Sequence, residues 1–148
     1  MRRNAVLILV LVFSACTLKE EAPPTTIPAP PDVAAPPADA VRTPSGIASK
    51  ILQIGFGRSH PNPRSTVKVN YTGWTTDGRM FDSSVVRNEP AEFQLTGVIS
   101  GWTEGLQLMV QGEKRRFWIP AALAYGDNAV PPNPKGTLVF DIELLSIH

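Results

Sequence analysis

Cysteine is almost missing: the 148 residues contain one, Cys16. That excludes an intramolecular disulfide and any multi-cysteine metal site. Histidine is as scarce, with only His60 and the C-terminal His148, so no zinc-ligand spacing is present. Charge of one sign is missing too. The formal net charge is +1, which leaves no footprint for nucleic acid or for an acidic substrate. The longest apolar run, Ala5 to Phe13, is too short to cross a bilayer, since spanning takes about 20 apolar residues. Any chemistry must therefore come from aromatic, apolar and carboxylate groups. The length allows one ordinary domain and some extra chain.

What is present begins with an address. Arg2 and Arg3 precede the apolar run, and Ser14 and Ala15 lead into Cys16. Residues 1–15 have the layout of a bacterial lipoprotein signal peptide, in which cleavage before Cys16 leaves that residue to carry acyl chains. Each buried methylene contributes about 0.8 kcal/mol, so several chains anchor stably in a membrane. Lipidation explains an unpaired cysteine in an exported protein; the alternative is an ordinary secretory signal with an incidental thiol. Thr17, rather than Asp, follows the cysteine, which resembles outer-membrane sorting in Gram-negative bacteria. The expected location is the cell envelope, facing periplasm or exterior.

Residues 16–44 change character, with Pro23, Pro24, Pro28, Pro30, Pro31, Pro36, Pro37 and Pro44 among Ala and Thr. No aromatic residue and no apolar period occurs there. The composition predicts a disordered, extended linker with polyproline II bias.

From residue 45 to 148 the pattern is that of a small sheet-rich domain. Ile47 to Ile54 reads as a strand ended by Gly55-Phe56-Gly57. Val67, Val69 and Tyr71 alternate with Lys68, Asn70 and Thr72, as in a half-buried strand. Asp77-Gly78 turns the chain back into Met80-Phe81, and Ala91 to Leu95 is a further short strand. Trp102, Leu106 and Met109 then recur at helical spacing, in a helix capped by Ser100 and stopped near Gly112. Gly105 within it implies close packing on the sheet. Lys114 to Ile119 and Leu138 to Ile147 complete the strands, with Lys114-Arg115-Arg116 read as a solvated face. The predicted class is α+β, a curved antiparallel β-sheet wrapped around one short α-helix.

Certain fragments are more specific. Tyr71-Thr72-Gly73, Phe81-Asp82-Ser83-Ser84, Val98-Ile99-Ser100-Gly101-Trp102, Gly112-Glu113-Lys114-Arg115, Ala124-Tyr125-Gly126 and Leu138-Val139-Phe140 follow one another in this order. In order and spacing they resemble the FKBP-type peptidyl-prolyl cis-trans isomerase (rotamase) domain, over nearly all of Gly46 to His148. The resemblance implies a hydrophobic pocket for a proline ring. Trp102 would be its floor, Tyr71, Phe81, Phe93 and Phe140 its walls, and Val98 and Ile99 its rim. The Ile99 N–H and the Tyr125 hydroxyl would hold carbonyls, with Asp82 beside them as an acceptor. The resemblance further implies proline-containing folding proteins as substrates and macrolides such as rapamycin or tacrolimus as ligands. Between Gly126 and Leu138 the chain departs from the family, with Ala129 and Val130 where bulky aliphatics are usual; Val130 would take their place against substrate.

These residue types suit the reaction. Rotating an X-Pro bond breaks no σ bond, and the obstacle is a barrier of about 18–20 kcal/mol from amide resonance. A dry aromatic pocket favours the twisted, less polar amide over the planar one. No nucleophile, metal or cofactor is called for. The competing reading is a non-catalytic peptide-binding or envelope scaffold lipoprotein using the same pocket. With no helical dimerisation segment in view, a monomer is expected.

Overall fold

The computed structural model describes residue 22 and residues 24–148; the signal segment and Cys16 lie outside them. Strands β1 (Val41–Arg42), β2 (Ala48–Gln53), β3 (Thr66–Thr75), β4 (Met80–Ser83) and β5 (Ala91–Gln94) precede helix α1 (Ser100–Leu106), and β6 (Lys114–Ile119) and β7 (Leu138–Ile147) follow it. All pair antiparallel in one sheet of order β1-β2-β6-β7-β3-β4, with β5 on β3. This is the expected α+β class, a curved sheet with one short helix.

Alternation fixes which face is buried. Val67, Val69 and Tyr71 on β3, Phe117 and Ile119 on β6, and Leu138, Phe140, Ile142 and Leu144 on β7 point toward α1 and form the main core with Trp102, Leu106 and Met109. The helix is shorter than its apolar period suggested. Its N-cap is Ile99, with no side-chain capping bond, and Ser100 is the first helical residue. After Leu106 the chain tightens into i→i−3 bonds, Leu108 N–H to Gly105 O and Met109 N–H to Leu106 O. Met109 thus keeps its buried place without being helical. Gly105 is obligatory for the approach, because a Cβ there would come within 2.9 Å of the Phe117 ring.

The opposite face corrects the sequence reading. Residues 22 and 24–26 are exposed and without regular structure, as in a stalk, but from Ile27 onward the proline-rich segment is laid across the sheet. Ile27, Ala29, Val33 and Ala40 pack on Ala48, Trp74, Trp118 and Val139. Trp74 Nε1 donates to the Ile27 carbonyl at 2.9 Å, and Trp118 Nε1 to the Asp32 carbonyl at 3.0 Å. The packed unit therefore begins at Ile27 rather than at Ser45. Composition misled because it measures what a segment can bury on its own, whereas here the sheet supplies the apolar surface. The solvated face expected for Lys114-Arg115-Arg116 is corrected as well. Arg115 is buried against Glu113 at 2.8 Å, and Arg116 pairs with Asp141 at 2.6 Å and Asp32 at 2.9 Å.

Candidate active site

A cavity of about 420 Å³ opens on the helix side of the sheet. Its floor is Trp102, from the first turn of α1, buried to 4% exposure. Three rings stand edge-on to that indole: Tyr71 at 5.2 Å and 85°, Phe93 at 5.3 Å and 83°, and Phe140 at 5.4 Å and 84° between centroids and planes. Phe81 in turn meets Phe140 at 5.5 Å and 89°. Each such contact contributes roughly 0.5–1.5 kcal/mol beyond its buried area. The arrangement therefore holds the walls upright without filling the space between them.

Two glycines make room for this box. A Cβ on Gly73 would lie 2.5 Å from Phe81 and 2.8 Å from Phe140. One on Gly101 would lie 2.3 Å from Ile119, against which the start of α1 is pressed. The Trp102 Nε1 atom is the one buried side-chain polar atom among the described residues without a hydrogen-bond partner. An orphan donor of this kind costs about 1–3 kcal/mol and marks the floor as something other than ordinary core.

One side of the cavity is polar. The Tyr71 hydroxyl donates to Asp82 Oδ2, and Arg87 donates from Nη1 to Asp82 Oδ1 and from Nη2 to the Tyr71 oxygen at 3.1 Å. Ser83 N–H adds a bond to Asp82 Oδ1 at 2.9 Å. Burial alone would push Asp82 up, but the bonds from Tyr71 and Arg87 and the guanidinium charge outweigh it, and the carboxyl sits below its usual range. Burial first, and the bond to Asp82 second, push the Tyr71 hydroxyl up against the opposing pull of Arg87. Arg87 was not legible as a site residue, since a cation in the turn after β4 matches no spacing rule. The clue was only its charge, close in sequence to a carboxylate among aromatics.

Of the residues singled out from sequence, Tyr71, Phe81, Asp82, Phe93, Val98, Ile99, Trp102, Tyr125 and Phe140 all line this one cavity. Tyr125 stands at the mouth, 44% exposed. Val130 is apart from them. It lies 74% exposed in a turn closed by Asn133 N–H on its carbonyl, and it is not in the cavity lining.

The comparisons with known proteins bear on this site. The profile of the family described as FKBP-type peptidyl-prolyl cis-trans isomerase matches residues 57–145. Among curated relatives, FKBP-type peptidyl-prolyl cis-trans isomerase FkpA of Aeromonas hydrophila is 50% identical over 107 residues, covering 72% of this chain and 40% of that protein. Outer membrane protein MIP of Legionella longbeachae is 46% identical over 106 residues, covering 70% of this chain and 45% of its own. The crystal structure of FkpA from Escherichia coli superposes with a TM-score of 0.69 at 43% identity, over 75% of this chain and 52% of that one. The chain thus spans about half the length, or less, of the curated relatives it matches. Fold, aromatic box and sequence agree: this chain belongs to the FKBP-type peptidyl-prolyl cis-trans isomerase family.

Proposed function

We propose that the protein is a peptidyl-prolyl cis-trans isomerase that accelerates X-Pro rotation in exported, folding polypeptides. The observation that carries this reading is the open box of Tyr71, Phe81, Phe93 and Phe140 over Trp102. It has the size and apolarity for a proline ring and contains nothing that would attack it. The ring enters the box, and the preceding amide twists at its mouth. Twisting removes resonance and charge separation, so an apolar wall holds the twisted form better than the planar one. The Ile99 N–H and the Tyr125 hydroxyl fix carbonyl orientations as preorganised donors. Asp82 serves as an ionised acceptor, kept so by Arg87 and Tyr71, and moves no proton. Val130, at the loop tip, touches the outer part of a substrate. The same box would accept rapamycin or tacrolimus, whose ring system competes with proline.

The residue before proline would lie against Phe93 and Val98. Apolar residues there should be turned over faster than acidic ones, and a series of X-Pro peptides read by their cis-to-trans rate tests this. Equal rates for apolar and acidic X would remove Phe93 and Val98 from the substrate wall. The reading further includes export behind residues 1–15 and anchoring through acylated Cys16. The envelope location it implies is supported by the signal layout and by a relative named as an outer membrane protein. Action as a monomer completes it.

A further inference from the structure

We infer that the sheet face opposite the catalytic cavity is a second binding site, a groove for proline-rich segments. In this reading residues 27–40 occupy it as the chain's own ligand. The inference stands apart from the isomerase reading, since none of Ala48, Trp74, Trp118 and Val139, on which the segment packs, lines the cavity.

The groove is built by register. Ala48 on β2 faces Trp118 on β6, Trp118 faces Val139 on β7, and Val139 faces Trp74 on β3. An apolar row thus crosses four neighbouring strands, on the face where alternation places Lys68, Asn70, Thr72, Asp141 and Glu143. Indoles in that phase are costly unless covered, and each buried N–H needs an acceptor. A proline-rich segment meets both needs. Proline has no N–H, so fewer donors along the segment compete for its backbone carbonyls, which are left free to accept. Those of Ile27 and Asp32 take the two indole N–H groups. The Asp32 carboxylate adds an ion pair to Arg116, which Asp141 holds in place.

Several features mark the segment as a ligand rather than a layer of the fold. None of its side chains enters the core beneath α1. Its apolar residues are only partly buried. Its turns close on themselves, Val33 N–H to Pro30 O and Ala40 N–H to Pro37 O, both at 3.1 Å. Such local closure, with proline's fixed φ, lowers the entropy lost on docking. Beyond Ile27 the groove continues as a cleft of about 120 Å³, with Trp74, Asp141 and Glu143 in its wall.

The test uses the full chain carrying Ile27→Asp and Val33→Asp, which disable the resident segment and leave the groove intact. A labelled peptide of residues 24–42 should bind this variant at least tenfold more tightly than wild type, whose groove is occupied. Adding Trp118→Phe should weaken that binding several-fold, because an indole donor is lost. In wild type, the amides of Val33 and Ala40 should exchange with solvent at least a hundredfold faster than those of β3 and β7. Equal peptide binding by both chains, or by neither, overturns the inference. So does loss of the folded core in the double variant, or exchange of Val33 and Ala40 as slow as that of the central strands, since either makes the segment an integral layer. A wild-type dimer that falls apart on the double substitution would give the groove to a second copy's segment and overturn the assignment within one chain.

Discussion

Asp82 and Tyr71 are displaced from their ordinary values in opposite directions, and both displacements leave neutral pH untouched. Asp82 lies below the usual carboxylate range when folded. Its contribution to stability is therefore complete above about pH 4, the unfolded value, and is lost as pH falls through the lower folded value. Tyr71 lies above its usual value. Its contribution is complete below about pH 10 and is lost as pH rises through the higher folded value. Neither group changes charge between about pH 5 and 9, and isomerisation by binding a twisted amide transfers no proton. The catalytic rate constant should accordingly be flat across that window. A bell-shaped profile centred near neutrality would mean a general acid or base is at work and would displace the account of Asp82. The ion pair with Arg87 is half exposed, with side chains 41% and 49% accessible, so its role lies in fixing the carboxylate rather than in overall stability.

At the scale of elements, what positions the site is close packing, and glycine is what permits it. Gly73 on β3 lets Phe81 and Phe140 meet across its bare backbone. In Gly73→Ala the new methyl would have to displace both rings. Overpacking of this kind costs about 1–3 kcal/mol. The expected outcome is a lowered melting temperature and a several-fold loss in kcat/KM, as two walls of the cavity shift together. A variant with wild-type melting and activity would show that the walls are not held as described. The strands were legible because their apolar positions alternate, and the helix because Trp102 and Leu106 follow its period. The helix end was not legible. Met109 satisfies the same period from a tightened turn, and apolar spacing cannot separate an α-helical residue from one that a following turn carries to the same core. The aromatic set was readable from the ordered family motifs, whereas Arg87 acts through a turn whose geometry leaves no trace in spacing.

Across the whole molecule the proline-rich segment departs furthest from what its composition predicts. Trp74 and Trp118 sit in the polar phase of their strands, and that mismatch was the available signal that something covers them. The segment's own composition nevertheless reads as linker, because it holds no aromatic residue and no apolar period. With the segment docked from Ile27 onward, ten residues separate Cys16 from the sheet, and ten residues span at most about 35 Å. A linker running to residue 44 would instead reach about 100 Å. An acylated Cys16 would thus hold the catalytic domain close to its membrane. Wild type should fractionate with membranes and carry an acyl label, and Cys16→Ser should block processing and lose the label while keeping peptide activity. An unmodified, soluble wild type would reduce residues 1–15 to an ordinary signal peptide. The central claim, that the aromatic box turns X-Pro bonds without chemistry, is tested most directly by exchange NMR on an X-Pro peptide at equilibrium, with the metal-free protein in substoichiometric amount. Cis–trans exchange should run well above the uncatalysed rate, unchanged by chelator and cut at least tenfold by Trp102→Ala. An exchange rate equal to that of the peptide alone would contradict it.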